Sequence, residues 1–212
     1  MSENKHLDEQ ILPLLYGAQA ETEKPIQDIE PDPLLFHQAV LNINGEMVPF
    51  TEEGLMDGKI RIPLPKTFHL MSPQNAAMKY PSERRPSIIY TNSSASINIT
   101  FNETDYIVTE EGLEPFTIEM IQILRRTQPI LQWFDHGISE TRGKQQIGYC
   151  EFLVRALNVN LYNLMFFTEM EDKALLCSFN CTEEEMKHWQ PIARELMNAL
   201  VIGEAEEVRE GQ

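Results

Sequence analysis

The sequence predicts an α+β fold, a mainly antiparallel sheet of about six to seven strands with helices on both faces. Three observations carry that expectation. Strand-length runs apolar on both sides recur between Gln145 and Asn180, short polar connections separate them, and amphipathic helical patterns lie on either side of the run. A strand apolar on both faces belongs inside a covered sheet, and short connections join antiparallel neighbours.

The elements follow in chain order. Val40 to Phe50 holds Asn44-Gly45 between apolar runs, a hairpin signal, and Pro49 points to a sheet edge. Lys59 to Leu64 reads as a strand ending at Pro65, continued by Phe68 to Met71. Ser72 caps a short helix that has Pro73 at its first position and runs through Lys79. Ser87 to Thr91 and Ile97 to Phe101 are strands flanking the polar turn Asn92 to Ser96. Pro115 starts a long helix whose buried stripe is expected to be Phe116, Met120, Ile123, Leu124 and Thr127.

Ile130 to Ile138 returns to strand, and Arg142-Gly143 turns the chain toward Gln145. In the next run Ile147, Tyr149 and Leu153 alternate with Cys150, Phe152 and Val154, so neither face is polar. Leu161 to Thr168 is a nearly continuous apolar strand, and Ala174 to Asn180 places Leu175, Cys177 and Phe179 on one face. Thr182 with Glu185 three residues on is a capping box. Beyond it Met186, Trp189, Ala193, Leu196 and Leu200 form one stripe, while Lys187, Arg194, Glu195 and Asn198 fall elsewhere. Pro191 interrupts this helix, predicting a kink or a restart.

The 212 residues, 42% of them hydrophobic, suffice for one domain over 34–202 with a real core, between an acidic N-terminal arm (1–33) and an acidic tail (203–212). The formal net charge is −16, of which the arm carries −6 and the tail −3. An acidic body argues against nucleic acid, since phosphate neutralisation needs an excess of Lys and Arg on some face. No apolar run reaches the roughly 20 residues that membrane insertion by a helix requires. Ala18-Gln19-Ala20 mimics a signal-peptidase site, but Glu3, Asp8 and Glu9 make the preceding stretch acidic, so a cytoplasmic location is expected.

Three cysteines form no even-numbered disulfide framework. Cys150 and Cys177 fall in apolar strands, where the residue serves as a small hydrophobe. Cys177, Cys181 and His188 lack the tight spacing of a zinc knuckle and a fourth ligand, and no glycine loop for a phosphate is present. Cys150 with His136 across adjacent strands lacks a nucleophile elbow, and Asp135-His136 is expected at a solvated strand end. Neither a metal nor a cofactor is expected.

The path from Lys59-Ile60-Arg61-Ile62-Pro63 through the helix at Pro115 to Arg125, the meander to Asn180 and the closing Trp189 to Leu200 helix resembles the PsbP/DcrB-like α/β/α sandwich. That family includes the photosystem subunit PsbP, the Ran-binding Mog protein and the related Eag chaperones. The resemblance covers residues 59–202. It implies a binding role without shared catalytic residues, and no functional position carries over from it.

Two segments are then the candidate protein-binding sites. Lys79-Tyr80-Pro81-Ser82-Glu83-Arg84-Arg85-Pro86 concentrates cations and an aromatic in a proline-stiffened corner; Lys79, Tyr80, Arg84 and Arg85 suit carboxylate recognition or a hot spot, against the favoured structural reading in which the prolines shape a helix-to-strand corner, Tyr80 covers the core and the arginines pair with surplus Asp and Glu. In the arm, Leu12, Leu14, Leu15 and Tyr16 form an apolar cluster that docks on its own domain, captures a partner or pairs with a second copy, which leaves a homodimer open. The expected function is a cytoplasmic, non-catalytic protein-binding or chaperone and adaptor-type domain. The alternative is an enzyme whose site gathers Tyr80, Arg84, Asp135 and His136.

Overall fold

The structure, a computed structural model, describes residues 40–82 and 85–203. β1 (Val40–Ile43) and β2 (Glu46–Leu55) form the expected hairpin, with Asn44 and Gly45 at φ 53° and 84°. Positive φ at both turn residues matches the strand twist, and glycine takes it without strain. β3 (Ile60–Pro65) pairs with β2, and β11 (Val201–Ile202) completes a four-stranded sheet in the order β1-β2-β3-β11. Pro49 therefore lies on an interior strand and not on an edge. It is tolerated because its partner is Val40, the first residue of β1, where the ladder runs out.

A larger sheet holds β4 (His69–Leu70), β5 (Ile88–Thr91), β6 (Asn98–Ile107), β7 (Ile130–Glu140), β8 (Gln146–Arg155), β9 (Asn160–Met170) and β10 (Lys173–Thr182). Its order is β4-β5-β6-β10-β9-β8-β7, with every neighbouring pair antiparallel. The fold is α+β, as the sequence predicts.

The two-sided strands bury both faces. Ile147 and Leu153 of β8, Tyr162, Leu164 and Phe166 of β9, and Leu175, Cys177 and Phe179 of β10 share one core with the four-stranded sheet and helix α3 (Glu183–Asn198). Their neighbours Cys150, Phe152, Val154, Phe167 and Ala174 face helix α2 (Leu113–Thr127) on the opposite side. The short helix α1 (Pro73–Lys79), capped by Ser72, packs Ala76 on Met71 and Ile89. Ile89 stands across from Thr100, then Ser178, then Met165, so α1 lies on the α2 side.

α2 is rotated from its expected phase. Leu113, Thr117, Ile121 and Leu124 are buried, whereas Ile123 is 42% exposed and Thr127 exposed. The cause is Gly148 on β8: a Cβ there would stand 1.8 Å from Thr117 Oγ1 and 2.9 Å from Thr117 Cβ. Helix and sheet approach closely at this point, and Thr117 enters the dry interface because its hydroxyl donates to the Leu113 carbonyl at 2.8 Å.

α3 begins at the predicted capping box, with Thr182 N–H donating to Glu185 Oε2 (3.0 Å) and Glu185 N–H to Thr182 Oγ1 (3.4 Å). It runs unbroken through Pro191, which falls in its interior and deprives the Lys187 carbonyl of a donor. Glu195 is not on a solvent face: it is 3% exposed and paired with Arg142 from the β7–β8 connection. That ion pair ties the end of α3 to the loop beside it, where Arg142 N–H also donates to the Asn198 carbonyl.

Gly148→Ala is expected to lower unfolding stability by about 1–3 kcal/mol, the usual cost of forcing a methyl into a packed core. Thr117→Ala in the same chain removes the 1.8 Å clash but leaves the 2.9 Å contact, so it restores part of the loss. Urea unfolding of both variants checks this, and an unperturbed Gly148→Ala protein would refute the close approach.

Candidate binding surface and buried polar sites

The Arg-rich corner is built by α1 and the chain leading into β5. The Ser72 Oγ accepts from Asn75 N–H at 3.3 Å, and Pro73 supplies the fixed φ of the first turn. The helix ends at Tyr80, whose ring joins Met71, Ala76 and Ile89. Tyr80 points inward, with its hydroxyl buried, so it covers core and is not a surface anchor. Burial raises its pKa. Lys79 donates to the Ala95 carbonyl and is held down on the β5–β6 turn.

Arg85 is exposed and borders a groove of about 760 Å³. Leu70, Met71, Ala76, Ala77 and Ile89 give that groove an apolar lining. Of the four corner candidates Arg85 faces the groove, while Lys79 and Tyr80 serve local structure. Arg84, and Leu12, Leu14, Leu15 and Tyr16 of the arm, lie outside the described residues.

Beneath Tyr80 runs a row of hydrogen-bonded polar side chains on the sheet. Thr91 Oγ1 donates to Asn98 Oδ1 (2.9 Å), Asn98 Nδ2 donates to Asn180 Oδ1 (2.9 Å), and Thr100 and Ser178 share a hydroxyl bond (2.8 Å). Buried amides and hydroxyls are tolerated here because each finds a partner in the next strand.

Asp135 and His136 do not assemble with Tyr80. Tyr80 packs on β5 and the other two stand on β7, five strand steps apart at about 4.8 Å each, roughly 24 Å. Nor do Asp135 and His136 form an acid–base couple, because they lie on opposite faces of mid-strand β7 and not at a solvated strand end. Asp135 opposes Glu151 and accepts from the Tyr149 hydroxyl at 3.0 Å. His136 opposes Cys150 on the α2 side, where its Nδ1 accepts from Trp133 Nε1 at 3.0 Å. Burial pushes the Cys150 thiol up to about 12, which leaves it protonated and a poor nucleophile at neutral pH. Cys177 and Cys181 are buried and likewise raised. Among the described residues no three His, Cys, Asp or Glu side chains come together to hold a metal ion, and no helix is long and apolar enough to cross a membrane.

His136 sits in an unfavourable place for a proton. Burial lowers its pKa below 6.5, Arg125 adds to that, and Asp135 opposes it. Arg125 itself lies 4.6 Å over the Trp133 ring. Because the folded state takes up this proton less readily than the unfolded one, the contribution to stability is present above pH 6.5 and lost as pH falls through the window beneath it. An NMR titration should give His136 a midpoint below 6.5 in the native protein; a midpoint above it would contradict this environment.

A carboxylate that sequence reasoning passed over is the best-organised polar group. Glu151, 0% exposed on β8, faces α3. Its Oε1 accepts from Tyr162 Oη (2.8 Å) and from Gln190 Nε2, and its Oε2 accepts from Arg194 Nε (2.9 Å) and from a terminal Arg194 nitrogen (2.7 Å). Tyr149, next to Asp135 and this network, is pushed up to about 12 by burial and then by the Asp135 charge. The signal was legible: an acid alone within a strand apolar on both faces must be buried, and a buried charge must be paired.

The two partners are unequal. Arg194 is 40% exposed and can turn to water, whereas Glu151 cannot. Arg194→Ala is therefore expected to cost about 3–5 kcal/mol, the range for stranding a buried charge. Glu151→Gln keeps the size and one acceptor oxygen and removes the buried charge, and the donors it deserts can be those of Arg194, which turns to water, so it should cost less, about 1–3 kcal/mol. Denaturant melts of both variants test the order, and a larger loss for Glu151→Gln would overturn it.

No protein-family model matches the chain. No curated protein matches it either. Among solved structures it is similar to cyanobacterial PsbP (CyanoP) from Synechocystis sp. PCC 6803, at 8% identity and a TM-score of 0.54, covering 73% of this chain and 92% of that one. It is also similar to LpqN of Mycobacterium tuberculosis, described as involved in cell envelope biogenesis, at 12% identity and a TM-score of 0.45, covering 76% and 94%. The CyanoP likeness shows a PsbP-like fold and carries nothing about activity.

Proposed function

We propose that this chain is a non-catalytic protein-binding domain of the PsbP-like fold, and that it takes a partner segment in the groove beside α1. The observation that carries the reading is the groove itself, about 760 Å³ with an apolar lining and the exposed guanidinium of Arg85 at its border. Such a site suits an apolar side chain followed by a carboxylate, since a guanidinium fork matches a carboxylate geometrically. Leu70, 60% exposed at the border, adds the kind of apolar surface that a partner would cover. Chaperone or adaptor use follows if the captured segment is one that must be kept from other contacts.

The test is to fill the groove and reverse its charge. Full-length protein and the Ala77→Trp/Arg85→Glu variant are each used to recover bound proteins from the native cell. Both positions are exposed, so melting should stay within a degree or two while the recovered partners fall by about tenfold or more. Recovery of the same proteins in the same amounts would remove this groove from the function.

A further inference from the structure

From Pro86 to Leu124 the chain holds six Asp and Glu residues and no Lys or Arg. In the middle of that span the sheet ends on an apolar pair, Tyr106 and Ile107, which are 65% and 83% exposed. Tyr106 leans on Phe116 of α2 with ring centroids 6.5 Å apart, and Phe116 meets the buried Phe167 edge-on at 5.8 Å. A groove of about 410 Å³ opens here, lined by Ile107, Val108, Pro115 and Phe116, with Glu119 also in its wall. Glu110, Glu111 and Glu114, all exposed, flank the lining along the chain. The neighbouring Lys173 lies 3.7 Å from Asp105 and 3.8 Å from Glu103 and is engaged by that pair.

The start of α2 explains part of this, because a helix N-terminus favours Glu110, Glu111 and Glu114. It does not explain two large apolar side chains left in water beside them. An apolar centre with carboxylates on its border is the anatomy of a recognition surface, with anchors at the middle and polar groups at the rim. The charge names the occupant. A second copy of this chain, at formal net charge −16, would bring the wrong sign.

We infer that the surface formed by Tyr106, Ile107 and Phe116 with Glu114 and Glu119 binds a partner segment that carries lysine or arginine around an apolar anchor side chain. The anchor enters the groove beside Phe116, and the flanking cations meet the glutamates. This surface shares no lining residue with the α1 groove, so it is a second site, and its failure leaves the first standing.

The probe is a short fluorescent peptide of alternating Lys and Leu, with a Glu–Leu peptide as its counterpart, added to the full-length protein. The Lys–Leu peptide should bind and the Glu–Leu peptide should not. Tyr106→Ser/Ile107→Ser leaves the charge unchanged and should weaken binding about tenfold or more with the melting temperature kept. Glu114→Gln/Glu119→Gln should weaken it and flatten its dependence on salt. The Ala77→Trp/Arg85→Glu protein should bind as the unaltered chain does. Equal binding by the Ser double variant would mean general attraction of a cation to an acidic protein and would overturn the site, as would absence of Lys–Leu binding or equal binding of both peptides.

Discussion

The structure depends on one constraint, that the central strands of the large sheet are buried on both faces. Tyr162, Leu164 and Phe166 of β9 point one way, and Leu161, Met165 and Phe167 point the other. Each face then needs a cover of its own, since exposed strands of this composition would pair and aggregate. α2 covers one side, and α3 with the four-stranded sheet covers the other. The α2 side is drawn in so closely at Gly148 that no other residue fits, which fixes the rotation of the helix. The terminal strand β11 serves the same end: directly after α3 it pairs with β3, so the small sheet and the helix stay together on one face.

Two buried carboxylates hold α3 to that face. Glu151 rises from the sheet to meet Gln190 and Arg194, and Glu195 leaves the helix to meet Arg142. Apolar packing between helix and sheet has little directional preference, so it fixes how much is buried more firmly than where the helix sits. A buried carboxylate that must receive its donors is less forgiving, since a one-turn slip of α3 would strand it. Such pairs add little net stability and a large penalty for misplacement. Pro191 fits this account, since a helix held on both sides of the proline survives the loss of one backbone hydrogen bond.

The fold was readable because most of its determinants are local. The Asn44-Gly45 turn, the Ser72 and Thr182 caps and the two-sided alternation of β8 to β10 each state their structure within a few residues. The misreadings share a cause, which is contact with a partner distant in sequence. Thr117 looks polar until Gly148 lies beneath it, and Glu195 looks solvated until Arg142 reaches it. Pro49 looks like an edge residue until β3 pairs beyond it. At the candidate site the corner was legible as a proline-stiffened cluster of cations. Tyr80 covering the core was legible too, and Ile89 is the surface it covers; the fate of Lys79 was not, because the carbonyl that captures it lies sixteen residues away.

Both proposed surfaces then have one structural origin, the shortness of β4 and β5. These strands hold two and four residues, against ten in β6. Of β6, β5 meets Asn98 to Phe101 alone, so β6 beyond Phe101 has β10 as its one partner among the described strands. Tyr106 and Ile107 stand on that unaccompanied stretch, which is why a strand that is buried at its start is exposed at its end. On the other side of the same truncation, α1 must roof β5 with seven residues, about 10 Å of helix. A roof that short leaves the 760 Å³ groove between Ala76, Ala77 and Pro86 unfilled. In the β4 to β6 half the short elements leave Leu70, Tyr106 and Ile107 exposed beside Arg85 and the glutamates of the α2 start, and these are the side chains both proposed surfaces use.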